Sequence, residues 1–334
     1  MTTVARQMHL KSRPTGIPQP SNFTIVSVKL PEVGEGEVEV RNKFMSLEPG
    51  MRLLMRDTAF HAPIYPLDAP LHGRAVGEVV RSRSPSFEPG DLVMSNRGWQ
   101  EAFVAPAGEL LKVKPYPSLS VESLLSAAGI RGLTAYVGLI RVAQLRAGDI
   151  VFVSAAAGTV GMVACQIAKL RGHTVIGSAG GAAKVAFLKE IGVDHVIDYK
   201  AEPDFAAALR KAAPNGFDVF FDNVGGSQLD AAFQTANNNA RFALCGTIAG
   251  FNQTDLIPLY HSNLTILKRL RLEGYVVWDH QDLLPEFQRE LSGWVVSGRF
   301  KSRESVEIGL ERAPVALAKL FTGESIGASL VKLY

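Results

Sequence analysis

Cysteine is nearly absent from this sequence, and so are strong net charge and long apolar runs. The 334 residues include two cysteines, Cys165 and Cys245, which exclude a disulfide framework and favour a reducing compartment, taken here as the cytoplasm. The net charge is +3, from 35 Lys and Arg against 32 Asp and Glu, without a dense basic cluster. No apolar run is long enough to span a bilayer. We therefore expect neither a nucleic acid nor a membrane as partner.

A strand, a small-residue turn and a helix follow one another near the middle of the chain. Ile150–Val153 predicts a buried strand, small residues follow as far as Gly158, and an apolar helical pattern comes next. The N-terminus of such a helix would direct free N–H groups at a pyrophosphate. Gly158 would let the backbone approach the phosphate, and Gly161 would let the helix pack close to the strand. Ala156 replaces the first glycine of the usual fingerprint, which is therefore incomplete.

The patterns around this motif divide the chain into regions of different character. Residues 1–125 contain short runs bounded by Gly and Pro, which predict a β-rich domain built on a partly open barrel. Residues 126–300 alternate strands with helices, which predicts an α/β fold with a Rossmann-type, doubly wound parallel sheet. Within it we expect a helix over 134–145 and a last strand over 273–278. Residues 301–334 are expected to return to the first domain.

An acidic residue is absent where it would decide the cofactor. NAD-binding units place a carboxylate about 20 residues after the glycines, to hold the ribose 2′-OH. No Asp or Glu occurs between His173 and Lys189, and this favours NADP, because a carboxylate there would repel a 2′-phosphate. Lys184 and the hydroxyl of Tyr199 could bind that phosphate. A solvated surface lysine and a half-buried tyrosine are the alternative interpretations.

Motifs along nearly the whole chain resemble those of a known family, the zinc-independent medium-chain dehydrogenases/reductases. Within it, they resemble the branch of NADPH-dependent double-bond reductases that act on prostaglandins, alkenals and curcumin. The motifs are Met45–Arg52, Gly98–Trp99, Gly132–Tyr136, Ser154–Gly161, Gln166–Lys169, Phe221–Gly226, Cys245–Asn252, Arg271–Gly274 and Gly323–Gly327. The resemblance implies that the β-rich domain is a GroES-like catalytic domain and that the chain forms a homodimer.

The resemblance also implies a set of cofactor contacts. Residues of the glycine turn would meet the pyrophosphate, Lys184 and Tyr199 would hold the 2′-phosphate, and Asn223 would lie near the ribose and nicotinamide. Ser325 replaces a family asparagine that reaches the nicotinamide end. The full implied set is Gly158, Thr159, Val160, Gly161, Lys184, Tyr199, Asn223, Cys245, Gly246, Thr247, Ile248, Phe251, Tyr275, Val276, Val277 and Ser325.

The activity implied by the resemblance is reduction of the C=C bond of an α,β-unsaturated carbonyl compound. NADPH would supply a hydride to the β-carbon, and the α-carbon would take a proton. Gly50 and Phe251 replace two family tyrosines that contact the substrate carbonyl, so the proton donor is open and a bulky or apolar enone is expected. Tyr65, His72 and Tyr260 are candidate pocket residues that could compensate, although the ordinary interpretation is that the tyrosines pack in loops and the histidine caps a turn.

No metal is expected in this chain, and two alternative functions stay open. His72 lies near the point where zinc-dependent relatives carry a ligand, but Arg74 follows Gly73 and residues 1–125 contain no cysteine. A catalytic zinc needs about three protein ligands. One alternative is a tailoring enoyl reductase for a bulky natural-product intermediate, carrier-bound or free. The other is a catalytically weakened NADPH-binding protein that acts as a scaffold or with RNA.

Overall fold

The computed structural model describes residues 3–57, 63–113, 118–253 and 257–334. The chain divides into two compact units, one formed by Met1–Leu125 with Glu304–Tyr334 and the other by Ser126–Arg303. Our domain boundaries at residues 125 and 300 stay predictions. Within the described ranges, no helix combines the length and apolar character that crossing a membrane requires.

Strands occur in both units. In chain order they are β1 (Val4–Leu10), β2 (Phe23–Lys29), β3 (Glu37–Leu47), β4 (Ala75–Ser82), β5 (Leu92–Ser95), β6 (Ala102–Pro106), β7 (Leu111–Lys112), β8 (Ile150–Val153), β9 (Thr174–Ala179), β10 (His195–Asp198), β11 (Val219–Asp222), β12 (Arg241–Leu244), β13 (Arg271–Gly274), β14 (Glu304–Ile308) and β15 (Ala328–Lys332).

The α-helices lie mostly in the second unit. They are α1 (Met51–Leu54), α2 (Ile130–Val137), α3 (Thr159–Leu170), α4 (Ala182–Glu190), α5 (Phe205–Ala212), α6 (Gly226–Thr235), α7 (Leu264–Leu267), α8 (Leu284–Val296) and α9 (Ala313–Thr322). Among the described residues, short 3₁₀ turns directly precede α8 and α9, and a π-helical segment directly follows α2.

A parallel sheet organises the unit Ser126–Arg303. Its described strands follow the order β10-β9-β8-β11-β12-β13, and every neighbouring pair is parallel. Counted from β8 this is the order 3-2-1-4-5-6 of dinucleotide-binding folds. Phenylalanines fill one face, with the rings of Phe152 and Phe220 stacked at 4.6 Å between centroids. The predicted Rossmann-type α/β fold is therefore confirmed.

The other unit is built on the long strand β3. Among the described residues its larger sheet has the order β14-β15-β3-β4-β5-β7, and β6 also pairs with β3. All three neighbours of β3, namely β4, β6 and β15, are antiparallel to it. A separate antiparallel pair consists of β1 and β2. This β-rich, open arrangement agrees with the predicted GroES-like barrel.

The predicted helix over 134–145 has a different start and geometry. It begins earlier, as α2, and then continues as a π-helix over Gly138–Val142, in which Ala143 N–H donates to the Gly138 carbonyl at 2.8 Å. A Cβ on Gly138 would lie 2.4 Å from both the Phe221 ring and the Tyr275 hydroxyl. The wider turn thus occurs where the helix packs directly on two aromatic side chains, a tertiary contact that local periodicity does not contain.

The predicted last strand over 273–278 is wrong at both ends. The strand is β13, Arg271–Gly274, and a 3₁₀ turn over Val277–Leu283 follows it. The hydroxyl of Tyr275 donates to the Thr134 carbonyl at 2.8 Å. This bond directs the chain towards α2 directly after Gly274, so pairing with β12 stops there.

Candidate active site

The turn after β8 is shaped for a close approach of backbone. Ala155 takes the left-handed conformation, with φ 47°, and Gly158 is the N-cap of α3. A Cβ on Gly161 would lie 2.3 Å from the Ala155 carbonyl oxygen, so only glycine allows the helix to begin this close to the strand. Thr159 and Val160 open the first helical turn, whose N–H groups have no acceptor within the helix. A Cβ on Gly158 meets only the Ala155 oxygen among the described atoms, at 3.4 Å.

Ala156, which replaces the first fingerprint glycine, is accommodated by the neighbouring strand. Its side chain is fully buried, and its N–H donates to the Ser178 carbonyl at 2.9 Å. A Cβ on Gly177 of β9 would lie 3.0 Å from the Ala156 methyl group. Gly177 therefore leaves room for the alanine, and the incomplete motif still forms the expected turn.

A buried carboxylate joins the ends of β8 and β11. Asp222 is 1% exposed and accepts hydrogen bonds from Ser154 Oγ at 2.8 Å and from the N–H groups of Val224 and Gly225 at 2.9 and 3.0 Å. Burial raises the pKa of Asp222, and these hydrogen bonds oppose the rise. Asn223 Nδ2 donates to the Ser154 carbonyl at 2.7 Å. The network fixes Asn223 beside the glycine turn.

The segment after β12 lies at the same edge of the sheet. The N–H groups of Cys245 and Gly246 donate to the Asp222 carbonyl at 2.8 and 3.0 Å. Cys245 is hydrogen-bonded to Tyr275, and burial raises the pKa of its thiol to about 12. Thr247 and Ile248 lead into a 3₁₀ turn that Phe251 ends. After β13, Val276 is 54% exposed and Val277 is half-buried.

Two lysines and a tyrosine surround the turn after β9. A Cβ on Gly180 would lie 2.7 Å from the Tyr199 ring and 3.0 Å from Lys200 Cγ. Lys184, in the first turn of α4, is half-buried. Burial and the nearby charge of Lys200 lower the pKa of Lys184. Lys184 has no carboxylate partner among the described residues. Lys200 was not predicted as a site residue, although its position directly after Tyr199, close to the end of β10, was a usable signal.

Four of the predicted residues lie in the unit of β3. Gly50 is the N-cap of α1 with a right-handed helical backbone, and no described atom lies within 4 Å of a Cβ placed on it. The buried Tyr65 donates its hydroxyl to the His72 carbonyl at 2.7 Å, and the two rings pack at 4.5 Å. Burial lowers the pKa of His72. Ser325 is buried and lines a small polar cavity with Lys319.

Several of the implied cofactor residues therefore lie at one edge of the parallel sheet, whereas the pocket candidates have varied surroundings. The glycine turn, Asn223, Cys245 and Tyr275 lie at the carboxyl ends of the parallel strands, where such sheets bind ligands. Tyr260 of the same unit is 79% exposed. The hydroxyl of Tyr65 is already donated within its own unit. The roles assigned to these residues stay predictions.

His72 lies near the point where zinc-dependent relatives carry a metal ligand. Among the described residues, no group of three or more His, Cys, Asp or Glu side chains is arranged to hold a metal ion. Metal-independent activity stays a prediction, and a chelation experiment below tests it.

Known proteins and structures share this architecture. Two family models match, described as "N-terminal domain of oxidoreductase" over residues 6–113 and "Zinc-binding dehydrogenase" over residues 159–292. The NADPH-dependent curcumin reductase of Escherichia coli is 36% identical over 336 residues, covering 98% of this chain and 96% of that protein. The 2-alkenal reductase (NADP(+)-dependent) of Nicotiana tabacum is 37% identical over 335 residues, with the same coverage of 98% and 96%.

A solved structure shows the same similarity in its three-dimensional fold. The crystal structure of CurA from Vibrio vulnificus in complex with NADPH matches with a TM-score of 0.93 and 36% identity, over 98% of this chain and 99% of that one. These matches cover nearly the whole chain, and they agree with the strand order of the parallel sheet and with the turn at Gly158–Gly161. The chain belongs to the medium-chain dehydrogenases/reductases, in the branch of NADPH-dependent double-bond reductases.

Proposed function

We propose that this protein uses NADPH to reduce the C=C bond of an α,β-unsaturated carbonyl compound. The observation that carries the proposal is the dinucleotide turn at Gly158–Gly161, found in a chain that belongs to the double-bond reductase branch. The named relatives reduce curcumin and 2-alkenals with NADPH. Both substrate types contain an alkene conjugated to a carbonyl group.

The residues present suit a dinucleotide with an additional phosphate. The N-terminus of α3 follows Gly158, which carries no side chain that would hinder a ligand, and a pyrophosphate is the ligand that such a helix N-terminus accepts. Beside the turn after β9, Lys184 and Lys200 place two cations within electrostatic reach of each other. Two neighbouring cations repel unless an anion lies between them, and a 2′-phosphate would relieve that repulsion.

Bound NADPH would supply the hydride that the β-carbon receives. The protein contributes position and environment. Asn223, held by Ser154, and the 245–248 segment, held by Asp222, would orient the nicotinamide end. The thiol of Cys245 stays protonated at neutral pH because its pKa is raised to about 12. It therefore does not compete as a nucleophile for the alkene.

The substrate pocket is proposed to accept a bulky or apolar enone. Gly50 leaves space where family members have a tyrosine, and its surroundings among the described residues are open. Phe251 offers a ring without a hydroxyl. A pocket wall of this kind is roomier and less polar, so the nicotinamide ribose hydroxyl, water or another side chain would have to polarise the carbonyl.

We further propose a homodimer in the cytoplasm. The family resemblance supports the dimer, and the two free cysteines fit a reducing compartment. Light scattering of the purified protein measures the mass directly. A monomer mass at micromolar concentration would contradict the dimer.

A stopped-flow experiment tests the function. NADPH oxidation is followed with a panel of α,β-unsaturated aldehydes, ketones, free acids and carrier-linked thioesters. Each reaction is run with and without a chelator. We expect rapid oxidation with large aromatic ketones and no loss on chelation. Oxidation with thioesters alone would favour the tailoring enoyl reductase. Tight NADPH binding without oxidation by any substrate would favour the non-catalytic binding protein, and loss of turnover with removal of bound zinc would contradict the metal-free mechanism.

A further inference from the structure

Asp198 connects the two loops that carry the cations beside β9. It is the last residue of β10 and lies opposite Ala179, the last residue of β9. Its Oδ1 atom accepts a hydrogen bond from Gly181 N–H at 2.9 Å and another from Lys200 N–H at 3.1 Å. One carboxylate oxygen therefore ties the loop after β9 to the loop after β10.

Both of these loops position a basic side chain. Gly181, with φ 97°, is the N-cap of α4, and its carbonyl accepts the N–H of Lys184 at 3.1 Å. Lys200 and Tyr199 pack over Gly180 from the other loop. The separation between Lys184 and Lys200 consequently depends on how the two loops are joined, and Asp198 is the side chain that joins them.

We propose that Asp198 is a positioning residue that assembles the 2′-phosphate site from Lys184, Tyr199 and Lys200 and so sets the preference for NADPH over NADH. The inference rests on the proposed function, because it assigns a role towards the same cofactor. Asp198 acts through the two loops, and its own charge is unfavourable for a phosphate. Its use as a double hydrogen-bond acceptor explains why a carboxylate is found beside a site for an anion.

Three substitutions of Asp198 distinguish the contribution of its hydrogen-bond geometry from that of its charge. Asn keeps an acceptor oxygen at the same distance from the backbone and removes the negative charge. Glu keeps the charge but moves the acceptor by one methylene group. Ala removes both. If the hydrogen bonds are what matters, Asn preserves the site whereas Glu and Ala disrupt it.

Asp194 provides a matched control at the other end of the same strand. It directly precedes β10, and its Oδ2 atom accepts the N–H of Val175 in β9 at 2.7 Å. It also pairs with Lys169 at 2.8 Å. Asp194 thus joins β9 to β10 as Asp198 does, but away from the loops that carry Lys184 and Lys200. Loss of a general strand contact would affect Asp194→Ala and Asp198→Ala alike.

The test is calorimetric binding of two small probes, 2′,5′-ADP and 5′-AMP, to the full-length protein without NADPH. For Asp198→Ala and Asp198→Glu we expect 2′,5′-ADP affinity to fall by about tenfold or more, as for loss of one charged hydrogen bond, with 5′-AMP affinity nearly unchanged. Asp198→Asn should bind 2′,5′-ADP at least as tightly as the wild type. Asp194→Ala should keep the wild-type ratio of the two affinities.

Specific results would overturn the assignment. Equal losses for both probes, or equal losses in Asp198→Asn and Asp198→Ala, would show a general or purely electrostatic role. Unchanged 2′,5′-ADP binding in Asp198→Glu would also contradict the assignment, because this variant keeps the charge but displaces the acceptor. Asp198→Glu still tests the proposal if Asp198→Ala does not fold. A wild-type protein that binds 2′,5′-ADP no more tightly than 5′-AMP would instead overturn the NADPH preference of the proposed function itself, and the inference with it.

Discussion

Lys184 shows how a single cation can decide the choice of cofactor. It is half withdrawn from water, and both its burial and the neighbouring Lys200 lower its pKa. Holding an ammonium group in this position is unfavourable unless an anion compensates it. The absence of a carboxylate partner among the described residues therefore has meaning for binding, because a ligand phosphate can take that place.

Lys184→Ala should weaken NADPH binding by about 1.5–3 kcal/mol, the range for a hydrogen bond to a charged group. NADH binding should stay nearly unchanged, since NADH lacks the 2′-phosphate. Fluorescence titration with both cofactors measures the two affinities. Lys189→Ala, an exposed lysine at the other end of α4, is the control and should alter neither affinity. Equal losses for NADPH and NADH in Lys184→Ala would refute the assigned role.

Gly50 and Phe251 allow the substrate pocket to be examined by single substitutions. Gly50 has a right-handed helical backbone with open space around a Cβ among the described residues, so Gly50→Tyr should fold normally. We expect it to lower kcat/KM for bulky enones by occlusion. Phe251→Tyr should raise kcat for small enones, because it adds a donor where negative charge develops on the carbonyl oxygen. Steady-state kinetics that show neither change would mean that these positions do not line the pocket.

At the scale of an element, the two glycines of the turn between β8 and α3 have different roles, one in packing and one in ligand binding. In Gly161→Ala the methyl group would lie 2.3 Å from the Ala155 carbonyl oxygen, and such overpacking typically costs about 1–3 kcal/mol. In Gly158→Ala the nearest described atom is 3.4 Å away, an ordinary contact. We expect a lower Tm for Gly161→Ala, and a near-native Tm with weaker NADPH binding for Gly158→Ala. Thermal unfolding and titration distinguish the two, and equal Tm values would contradict the packing role of Gly161.

Sequence periodicity predicts elements well where their pattern is local. The strand at Val219–Asp222 and the helices around it follow from apolar runs separated by amphipathic segments, and the structure confirms them. The π-helix at Gly138–Val142 and the early end of β13 do not follow from such patterns. Both depend on the contact of Tyr275 with α2, which links residues more than a hundred positions apart.

In the candidate site, too, the local motifs were predictable from the sequence, whereas features that depend on strand pairing were not. Gly158 and Gly161 belong to one continuous motif, and an absent acidic residue sufficed to favour NADP. Lys200 and Asp198 were not recognised, because their relevance depends on the register that places Asp198 opposite Ala179. A strand register is a property of two paired segments, so neither segment alone contains it.

At the scale of the whole molecule, we expect both cysteines, the buried Cys165 and the half-buried Cys245, to resist the chemistry of the expected substrates. Unsaturated carbonyl compounds alkylate thiolates, and burial raises the pKa of the fully buried Cys165 and that of Cys245, the latter to about 12. N-ethylmaleimide at neutral pH should therefore leave the native protein unmodified and label both cysteines after unfolding in urea. Peptide mass spectrometry measures this, and labelling of native Cys245 at the unfolded rate would contradict it.

The division of the unit of β3 between both ends of the chain has a consequence for biosynthesis. The unit Ser126–Arg303 is continuous and can fold once it has left the ribosome, because domains generally fold as units during synthesis. β3 is translated before this unit, but its partner β15 is translated after the whole of it. Until β15 has been made, the segment Phe44–Leu47 of β3 lacks its partner strand, although β6 already pairs with Glu37–Arg41, and Leu310 and Leu317 of the core are missing. A chain interrupted after Arg303 would thus carry a complete dinucleotide fold beside an unfinished sheet, which makes it a substrate for chaperones and proteases.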